Sequence, residues 1–378
     1  MKRWAFVYQN DLNEVSANLK QCLWTTQALA QQVDLTWLTA PFDPQKHQNV
    51  LARLGISSPP PQVSVGPELG HNGLLSEFTS RWAWSKAALS WLQAQNTEVV
   101  YTRDFGFLVF LAVQKILGKR WSFQVIYEPH KVYHRASDKV PRWVEGKALQ
   151  VVDVFAPITE GIWTDLEHDF RIKKPHHIVP DGVNLPPETP YPKSDEFQMI
   201  YTGSFQSWKG LDTVLNALKG WKNKEGWKLT VCGGKPEEIA LYEAQMKEAG
   251  LNDRVRFAGF LDEEALRADV ARAHLALLPN NRERISARYT SPLKLFEYLG
   301  SGLPILASDL PSIREVLSED HAWFFQPEDE GDFLKQVEFA WKDASRRKAL
   351  SKGNRLYAQK FTWTERAKRI ASIVPDLR

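Results

Sequence analysis

Ser291-Pro292-Leu293-Lys294-Leu295-Phe296-Glu297-Tyr298-Leu299-Gly300-Ser301-Gly302-Leu303-Pro304, continued by Ile305-Leu306-Ala307-Ser308, reads as one helix running into one buried strand. Thr290 or Ser291 stands where a helix takes its cap, and Pro292 falls in the first turn, where a missing N–H costs nothing. Gly300 or Gly302 can end the helix, and the apolar run 304–308 has the character of a strand covered on both faces. The same alternation extends upstream. Strand-like runs lie at 199–202, 229–232, 255–257 and 275–279, with helical patterns over 211–218, 236–249, 263–273 and 292–299. The first half repeats the scheme, with strands at 4–8, 33–38, 99–101, 123–127 and 154–158 and helices that include 15–32 and 83–95. A Pro-rich stretch, 180–192, separates the halves as a linker. The expected fold is α/β, with two Rossmann-like doubly wound domains, 1–185 and 190–361, facing a cleft. Residues 57–73, which include Pro59, Pro60 and Pro61 in succession, form a surface loop, ordered or mobile.

A chain of 378 residues is too long for one ordinary core, which agrees with two domains. Hydrophobic residues at 43% and charged ones at 25%, with 15 tryptophans, exclude a disordered chain. The formal charge of +3 lacks the strong basic excess of a nucleic-acid binder, so no nucleic-acid partner is expected. Cys22 and Cys232 are far apart, supply neither a disulfide framework nor a metal cluster, and favour a reducing compartment. The opening residues read as a strand rather than a signal peptide. The most apolar run, 105–117, is interrupted by Gln114 and Lys115, so a cytoplasmic protein is expected. Three apparent motifs fall away. Asp104-Phe105-Gly106 has no accompanying Gly-rich or His-Arg-Asp loop, and Gly233-Gly234-Lys235 lacks P-loop spacing. His176-His177 has no carboxylate or cysteine at metal-ligand spacing, and no metal is expected.

In open α/β sheets, ligands collect at the carboxyl ends of the strands. The start of the 292–299 helix offers free N–H groups and positive dipole to an anion such as a phosphate. Glu297 lies seven residues after Thr290, about two turns on, and so faces the same side. It can accept hydrogen bonds from ribose hydroxyls, or be an ordinary surface glutamate. In Tyr201-Thr202-Gly203-Ser204-Phe205-Gln206-Ser207-Trp208-Lys209-Gly210 a strand ends at a glycine and Lys209 stands where the next helix opens. Lysine in such a turn is a natural phosphate ligand, or a solvated side chain.

Taken together, the two stretches resemble the second domain of the family 4 retaining glycosyltransferases, GT-B enzymes that use nucleotide-sugar donors. The lysine–glycine turn, the Pro-Leu-Lys-Leu-Phe-Glu-Tyr helix and the following Gly-Leu-Pro-Ile-Leu-Ala-Ser-Asp come in the family's order. Arg254-Val255-Arg256-Phe257-Ala258-Gly259-Phe260 and Ala322-Trp323-Phe324-Phe325-Gln326-Pro327-Glu328-Asp329 fit as well. The resemblance covers 199–361 and is weaker in the first half. It implies a donor site of Gly203, Ser204, Lys209, Thr290, Ser291, Pro292, Leu293 and Glu297. Lys209 would hold the diphosphate, Glu297 the ribose, and the backbone of 291–293 the phosphates. Two positions depart from the family's pattern: Ser204 stands where arginine is common, and Tyr289 where a glutamate precedes Glu297 by eight positions. Arg284 or Arg288, in the loop 281–288, can replace the lost positive charge or be solvated.

In the first domain Glu128-Pro129-His130 follows a strand, and the resemblance implies that His130 touches the donor sugar. His130 and Lys209 are thus the implied catalytic residues, with His130 orienting the sugar. Arg103 either reaches the site or makes a structural ion pair. The family's glycine pair before the first long helix is replaced by Asn10-Asp11-Leu12-Asn13-Glu14-Val15-Ser16, in which Asn13 and Ser16 either bind a ligand or cap the helix. The segment 362–378 is expected to cross back onto the first domain. The implied activity moves a hexose from a nucleotide diphosphate sugar, as co-substrate without further cofactor or metal, to a glycan or lipid-linked acceptor in polysaccharide biosynthesis. A sugar-nucleotide epimerase or hydrolase, and a degenerate non-catalytic binding protein, are the other readings. Finally, Lys115, Lys119, Arg120, Lys131, Arg135, Lys139, Arg142 and Lys147, interleaved with Trp121, Tyr133 and Trp143, face only Glu128, Asp138 and Glu145 nearby. They suit peripheral contact with an anionic membrane inner face, or are solvated helix faces.

Overall fold

The computed structural model describes residues 2–56, 58–59, 61–68, 74–136, 139–221 and 223–374. Parts of the 57–73 loop, Asp138 and the end of the 362–378 segment lie outside the described residues. The chain divides into two compact units, Met1–Pro180 with Trp363–Arg378, and Asp181–Thr362.

The first unit holds strands β1 (Arg3–Val7), β2 (Asp34–Thr39), β3 (Gln62–Ser64), β4 (Val99–Thr102), β5 (Gln124–Tyr127) and β6 (Val154–Phe155). They pair in the order β3-β2-β1-β4-β5-β6, all parallel. The second unit holds β7 (Phe197–Thr202), β8 (Trp227–Cys232), β9 (Val255–Gly259), β10 (Leu275–Leu278), β11 (Ile305–Ser308) and β12 (Ala322–Phe325). Read from β9, its order is β9-β8-β7-β10-β11-β12, the same doubly wound arrangement. In each sheet the order reverses beside the first strand, between β1 and β4 and between β7 and β10, and such switch points are where ligands bind.

Buried strands follow from the composition. All four residues of β10, Leu-Ala-Leu-Leu, and of β11, Ile-Leu-Ala-Ser, are buried, as expected where helices cover both faces. Met199, Tyr201, Leu275 and Leu277 join one core cluster while Ile200, Ala276 and Leu278 join another, so alternate side chains feed opposite faces of one sheet. Helix starts are set by short polar side chains. Asp43 accepts from the amides of Gln45 and Lys46 ahead of Pro44, and Asp104 accepts from the Phe107 amide.

Several boundaries differ from expectation. The helix read at 83–95 is Leu74–Ala94. Strand β3 lies inside the 57–73 segment, held by Trp37 N–H donating to the Pro61 carbonyl at 2.8 Å and Val65 N–H to the Thr39 carbonyl at 3.0 Å. Beyond Pro180, the Pro-rich stretch is tied down rather than loose. The Val183 amide donates to the Phe361 carbonyl at 2.9 Å, Arg355 to the Pro186 carbonyl at 2.7 Å, and Arg347 to the Tyr191 hydroxyl at 2.8 Å. The C-terminal helix, Trp363–Ser372, packs within the first unit against the helix Ala17–Leu29. Cys22 and Cys232 are both buried free thiols.

Candidate functional site

The second unit's site is built where β7 ends. Gly203 follows Thr202 with φ +132, and a side chain there would stand between the Tyr201 hydroxyl and Lys209 Nζ, 3.8 and 3.9 Å from its Cβ. Glycine therefore keeps the backbone open on the side that carries the lysine. The 3₁₀ turn Ser207–Lys209 then hands the chain to the helix Leu211–Lys219. Lys209 Nζ donates to Ser204 Oγ at 2.7 Å, and the Tyr201 hydroxyl donates to the Ser204 carbonyl at 2.9 Å. Burial lowers the Lys209 pKa, and none of the described carboxylates pairs with it.

Opposite stands the helix Leu293–Gly300. Its cap differs from expectation. Pro292 is the N-cap residue and offers no side-chain hydrogen bond. Thr290 and Ser291 do not cap, because the helix opens one residue later than Ser291 would need and two later than Thr290 would. Ser291 Oγ instead accepts from the Asp181 amide at 2.9 Å, and Thr290 Oγ1 donates to the Ile285 carbonyl at 2.6 Å. Pro292 has no N–H, so the amides of Leu293 and Lys294 open the helix without intrahelical acceptors. The Tyr298 hydroxyl, on the same helix, accepts from the Thr202 amide at 2.9 Å and so ties the helix to the end of β7. Glu297 is half-buried. The 281–288 loop runs into a π-helical turn, Ile285–Tyr289, that packs against the Ser207–Lys209 turn. Arg284 is exposed, Arg288 is half-buried, and Tyr289, at the position of the family's glutamate, is buried.

Lys294 went unremarked in the sequence. Its side chain is buried, its Nζ has no hydrogen-bond partner among the described residues, and that ammonium lies 4.4 Å from the centroid of the Tyr201 ring. Burial drives its pKa well below the usual lysine range, and the charge of Lys209 adds to the effect. The signal was its spacing: Lys294 precedes Tyr298 by one helical turn and therefore shares its buried face.

In the first unit His130 sits in a chain of buried polar groups at the end of β5. Its Nε2 meets Glu128 Oε1 at 2.7 Å and its Nδ1 meets an Arg103 Nη at 3.1 Å. Arginine only donates, so Nδ1 is the acceptor and Nε2 carries the hydrogen donated to Glu128. Burial, reinforced by Arg103, lowers the His130 pKa to about 4, against the pull of Glu128, so the ring is neutral at pH 7. The side chain is 27% exposed. Arg103 also reaches Gln21 Oε1 at 2.6 Å and lies over the Tyr8 ring, with no ion pair among the described residues. The second oxygen of Glu128 takes the Tyr101 hydroxyl and, at 2.7 Å, Arg366 Nη2. Arg366, from the C-terminal helix, was also missed. It shares one buried face with Trp363, Ala367 and Ile370, a spacing visible in the sequence. Asn13 and Ser16 do local work here: Asn13 Oδ1 accepts from the Asp43 amide at 3.0 Å, and Ser16 Oγ caps a helix by accepting from the Leu19 amide at 3.0 Å.

The basic cluster is less uniform than its sequence suggests. Arg135 pairs with Asp165 at 2.9 Å and with Asp169, which the linear count left out, and Arg142 donates to the Asp169 carbonyl. Lys115, Lys119, Arg120, Lys139 and Lys147 remain exposed. Among the described residues no group of three His, Cys, Asp or Glu could hold a metal, and no helix is long and apolar enough to cross a membrane.

The lysine-bearing turn and the helix start both lie in the second unit. Residues 188–357 match the family model of glycosyl transferases group 1. The chain is 28% identical over 145 residues to the 2-deoxystreptamine N-acetyl-D-glucosaminyltransferase of Niallia circulans, covering 38% of this chain and 35% of that protein. It is 26% identical over 157 residues to the phosphatidyl-myo-inositol mannosyltransferase of Mycobacterium leprae (strain TN), covering 39% of each. These matches span well under half the length of either relative. Over the whole fold, the sucrose-phosphate synthase of Thermosynechococcus elongatus superposes with a TM-score of 0.76 at 17% identity, covering 99% of this chain and 98% of that one. Anabaena HepE, in complex with UDP and glucose, superposes with a TM-score of 0.73 at 14% identity, covering 100% of both chains. The fold of the chain is GT-B, two Rossmann-like units.

Proposed function

We infer that this protein is a glycosyltransferase of the family 4 type, moving a hexose with retention from a nucleotide diphosphate sugar to a glycan or lipid-linked acceptor. The observation that carries this reading is Lys209, held by Ser204 at the end of β7 with no carboxylate among the described residues to neutralise it, inside the segment that matches glycosyl transferases group 1. The likeness to HepE, which is described with UDP and glucose, favours a uridine nucleotide as the first donor to try.

Breaking the bond from sugar to diphosphate builds negative charge on the leaving oxygen, and preorganised donors aimed at that charge lower the barrier. Lys209 and the free amides of Leu293 and Lys294 are such donors, and Glu297 is the ribose partner. The leaving oxygen takes the acceptor's proton as the new glycosidic bond forms on the same face. His130 orients the sugar; because its Nδ1 is taken by Arg103 and its Nε2 by Glu128, a sugar hydroxyl must displace one of these to reach the ring.

Thermal denaturation with a panel of nucleoside diphosphates tests the reading. One nucleotide is expected to raise the melting temperature, with affinity falling about tenfold or more in Lys209→Ala, as for a lost charged hydrogen bond, and less in Glu297→Ala. That nucleotide's sugar then serves for an acceptor search, with the anomeric configuration of the product read by NMR. Donor consumption with no acceptor would favour the epimerase or hydrolase reading. Absence of stabilisation by every nucleotide would favour the non-catalytic one.

Membrane contact is the second part of the reading, and its support is apolar as well as basic. Ile116 and Leu117 end one helix, and Trp143 lies on the helix Arg142–Leu149 packed against it; these side chains are 72%, 68% and 72% exposed among the surface lysines. Exposed aromatic and aliphatic side chains within a basic rim suit the interface of an anionic bilayer. Co-sedimentation with vesicles containing phosphatidylserine should weaken in high salt and in Trp143→Ser. Equal binding by that variant would remove the patch from the account.

A further inference from the structure

Lys294 places its amino group where an ammonium is costly. Its Nζ is buried, without a hydrogen-bond partner among the described residues, and rests against the Tyr201 ring. Unpaired charge of this kind shifts toward its neutral form unless a ligand compensates it. The groups around it do not compensate. Lys209, on the facing turn, is a like charge, and its own hydrogen bond goes to a neutral hydroxyl, Ser204. Tyr201, from β7, presents its ring, and Tyr298, on Lys294's own helix, is hydrogen-bonded to Thr202. Glu297 follows Lys294 by three residues and has contacts of its own. Arg284 and Arg288 on the neighbouring π-helical turn are further positive charges, and Arg355, from the helix packed behind, is turned to the carbonyls of Gly300 and Pro186. Two half-buried to buried lysines thus stand at one strand end, beside the first amides of a helix.

We propose that Lys294 and Lys209 together form the anion seat of this site, and that closing the seat on a diphosphate draws a proton from solvent onto Lys294. This rests on the donor reading above and adds to it a second cation and a proton. The proton balance is simple. The amine of Lys294 takes a proton from buffer, the ammonium so formed faces the diphosphate, and the buffer is left deprotonated by the same amount. The direction follows from burial and from Lys209, both of which lower the Lys294 pKa before binding, while the anion's charge raises it afterwards. Uptake therefore occurs at pH values between the lowered value of the free protein and the raised value of the complex.

The experiment is isothermal titration of the full chain with UDP at about pH 8.5, above its last phosphate ionisation at about 6, and with inorganic pyrophosphate, whose own remaining proton is accounted for by the parallel titration of Lys294→Met. It is run in two buffers of different ionisation enthalpy, so that the difference in heat counts protons. Wild type is expected to take up a measurable fraction of a proton per ligand. Lys294→Met should take up markedly less, any remainder coming from Lys209, and bind about tenfold more weakly or worse. Lys294→Arg, charged at every accessible pH, should bind with uptake no greater than that of Lys294→Met and thereby separate the charge from its titration. Because Lys294→Met removes an uncompensated buried amine, its ligand-free melting temperature should not fall, which guards against a folding artefact. Binding by wild type without proton uptake, or unchanged uptake in Lys294→Met, overturns the proposal. Pyrophosphate binding with uptake but no binding of UDP or any other nucleotide keeps the lysine pair and sinks the donor reading. Failure of wild type to bind either ligand class sinks both.

Discussion

Arg366→Ala is expected to destabilise the first unit by about 3–5 kcal/mol, the usual result of removing one partner from a buried ion pair. Arg366 is 3% exposed and spends three donors internally: on Glu128 at 2.7 Å, on Thr25 Oγ1 at 3.0 Å and on the Pro180 carbonyl at 2.9 Å. Glu128 is 2% exposed. Burial alone would raise its pKa, but the charge of Arg366 and the His130 hydrogen bond reverse that and hold it below the ordinary carboxylate value. A carboxylate with a depressed pKa contributes stability that is present above the unfolded value, about 4.3, and is lost as pH falls through the lower folded one. In Arg366→Ala the sign inverts. Glu128 is left buried without its cation, its folded pKa rises above the unfolded value, and the penalty is largest at neutral pH and shrinks on acidification as the carboxyl protonates. Urea unfolding of wild type and variant across pH 4.5–8 checks this. The gap should narrow toward pH 4.5, and the double variant Arg366→Met, Glu128→Gln should recover much of the loss. A gap independent of pH would mean that the loss comes from packing and the Thr25 and Pro180 hydrogen bonds, not from the stranded carboxylate.

The same network marks where reading a sequence stops. The core strands were legible because a parallel sheet covered on both faces demands uninterrupted apolar runs, and β1, β7, β10 and β11 supply them. β3 was not, since three residues between prolines at a sheet edge carry no periodicity. β12 is four apolar residues, which fit a short strand or a helical turn equally well. At the site, Lys209 was legible because the turn that presents it is local, a strand end and a glycine a few residues apart. Lys294 and Arg366 were harder for a physical reason. Each is a charge on the buried face of an amphipathic helix, and what pairs with it, or fails to, comes from distant segments: Glu128 lies 238 positions from Arg366. Ser291 misled in the opposite way. Its place before a helix fits a cap, but Pro292 takes the N-cap position and the hydroxyl goes to Asp181, 110 positions away.

Gly210→Ala should cost more than glycine's conformational freedom alone explains, and should disable the anion site along with the fold of its turn. Gly210 has φ +71, and closes the 3₁₀ turn that carries Lys209 by donating to the Ser207 carbonyl at 3.1 Å. A Cβ there would lie 1.8 Å from the Pro279 carbonyl oxygen and 2.8 Å from its carbon. That carbonyl cannot yield freely. It follows β10, and the next residues hold the turn from the other side, the Asn281 amide donating to the Trp208 carbonyl at 3.0 Å. The left-handed conformation by itself costs a non-glycine residue about 1–2 kcal/mol. The overlap must be relieved by moving the 207–210 turn away from β10, and overpacking of this kind adds about 1–3 kcal/mol. Gly250 supplies the control, because it has the same φ of +71 with nothing within 4 Å of its would-be Cβ. Gly250→Ala should therefore show the conformational cost alone and leave anion binding untouched. In Gly210→Ala the turn shifts, Lys209 Nζ leaves Ser204, and pyrophosphate binding should fall about as far as in Lys209→Ala. Urea midpoints and pyrophosphate titrations of the two glycine variants, side by side, decide the matter. If Gly210→Ala were as mild as Gly250→Ala and bound pyrophosphate normally, the contact between this turn and the end of β10 would not be what positions Lys209.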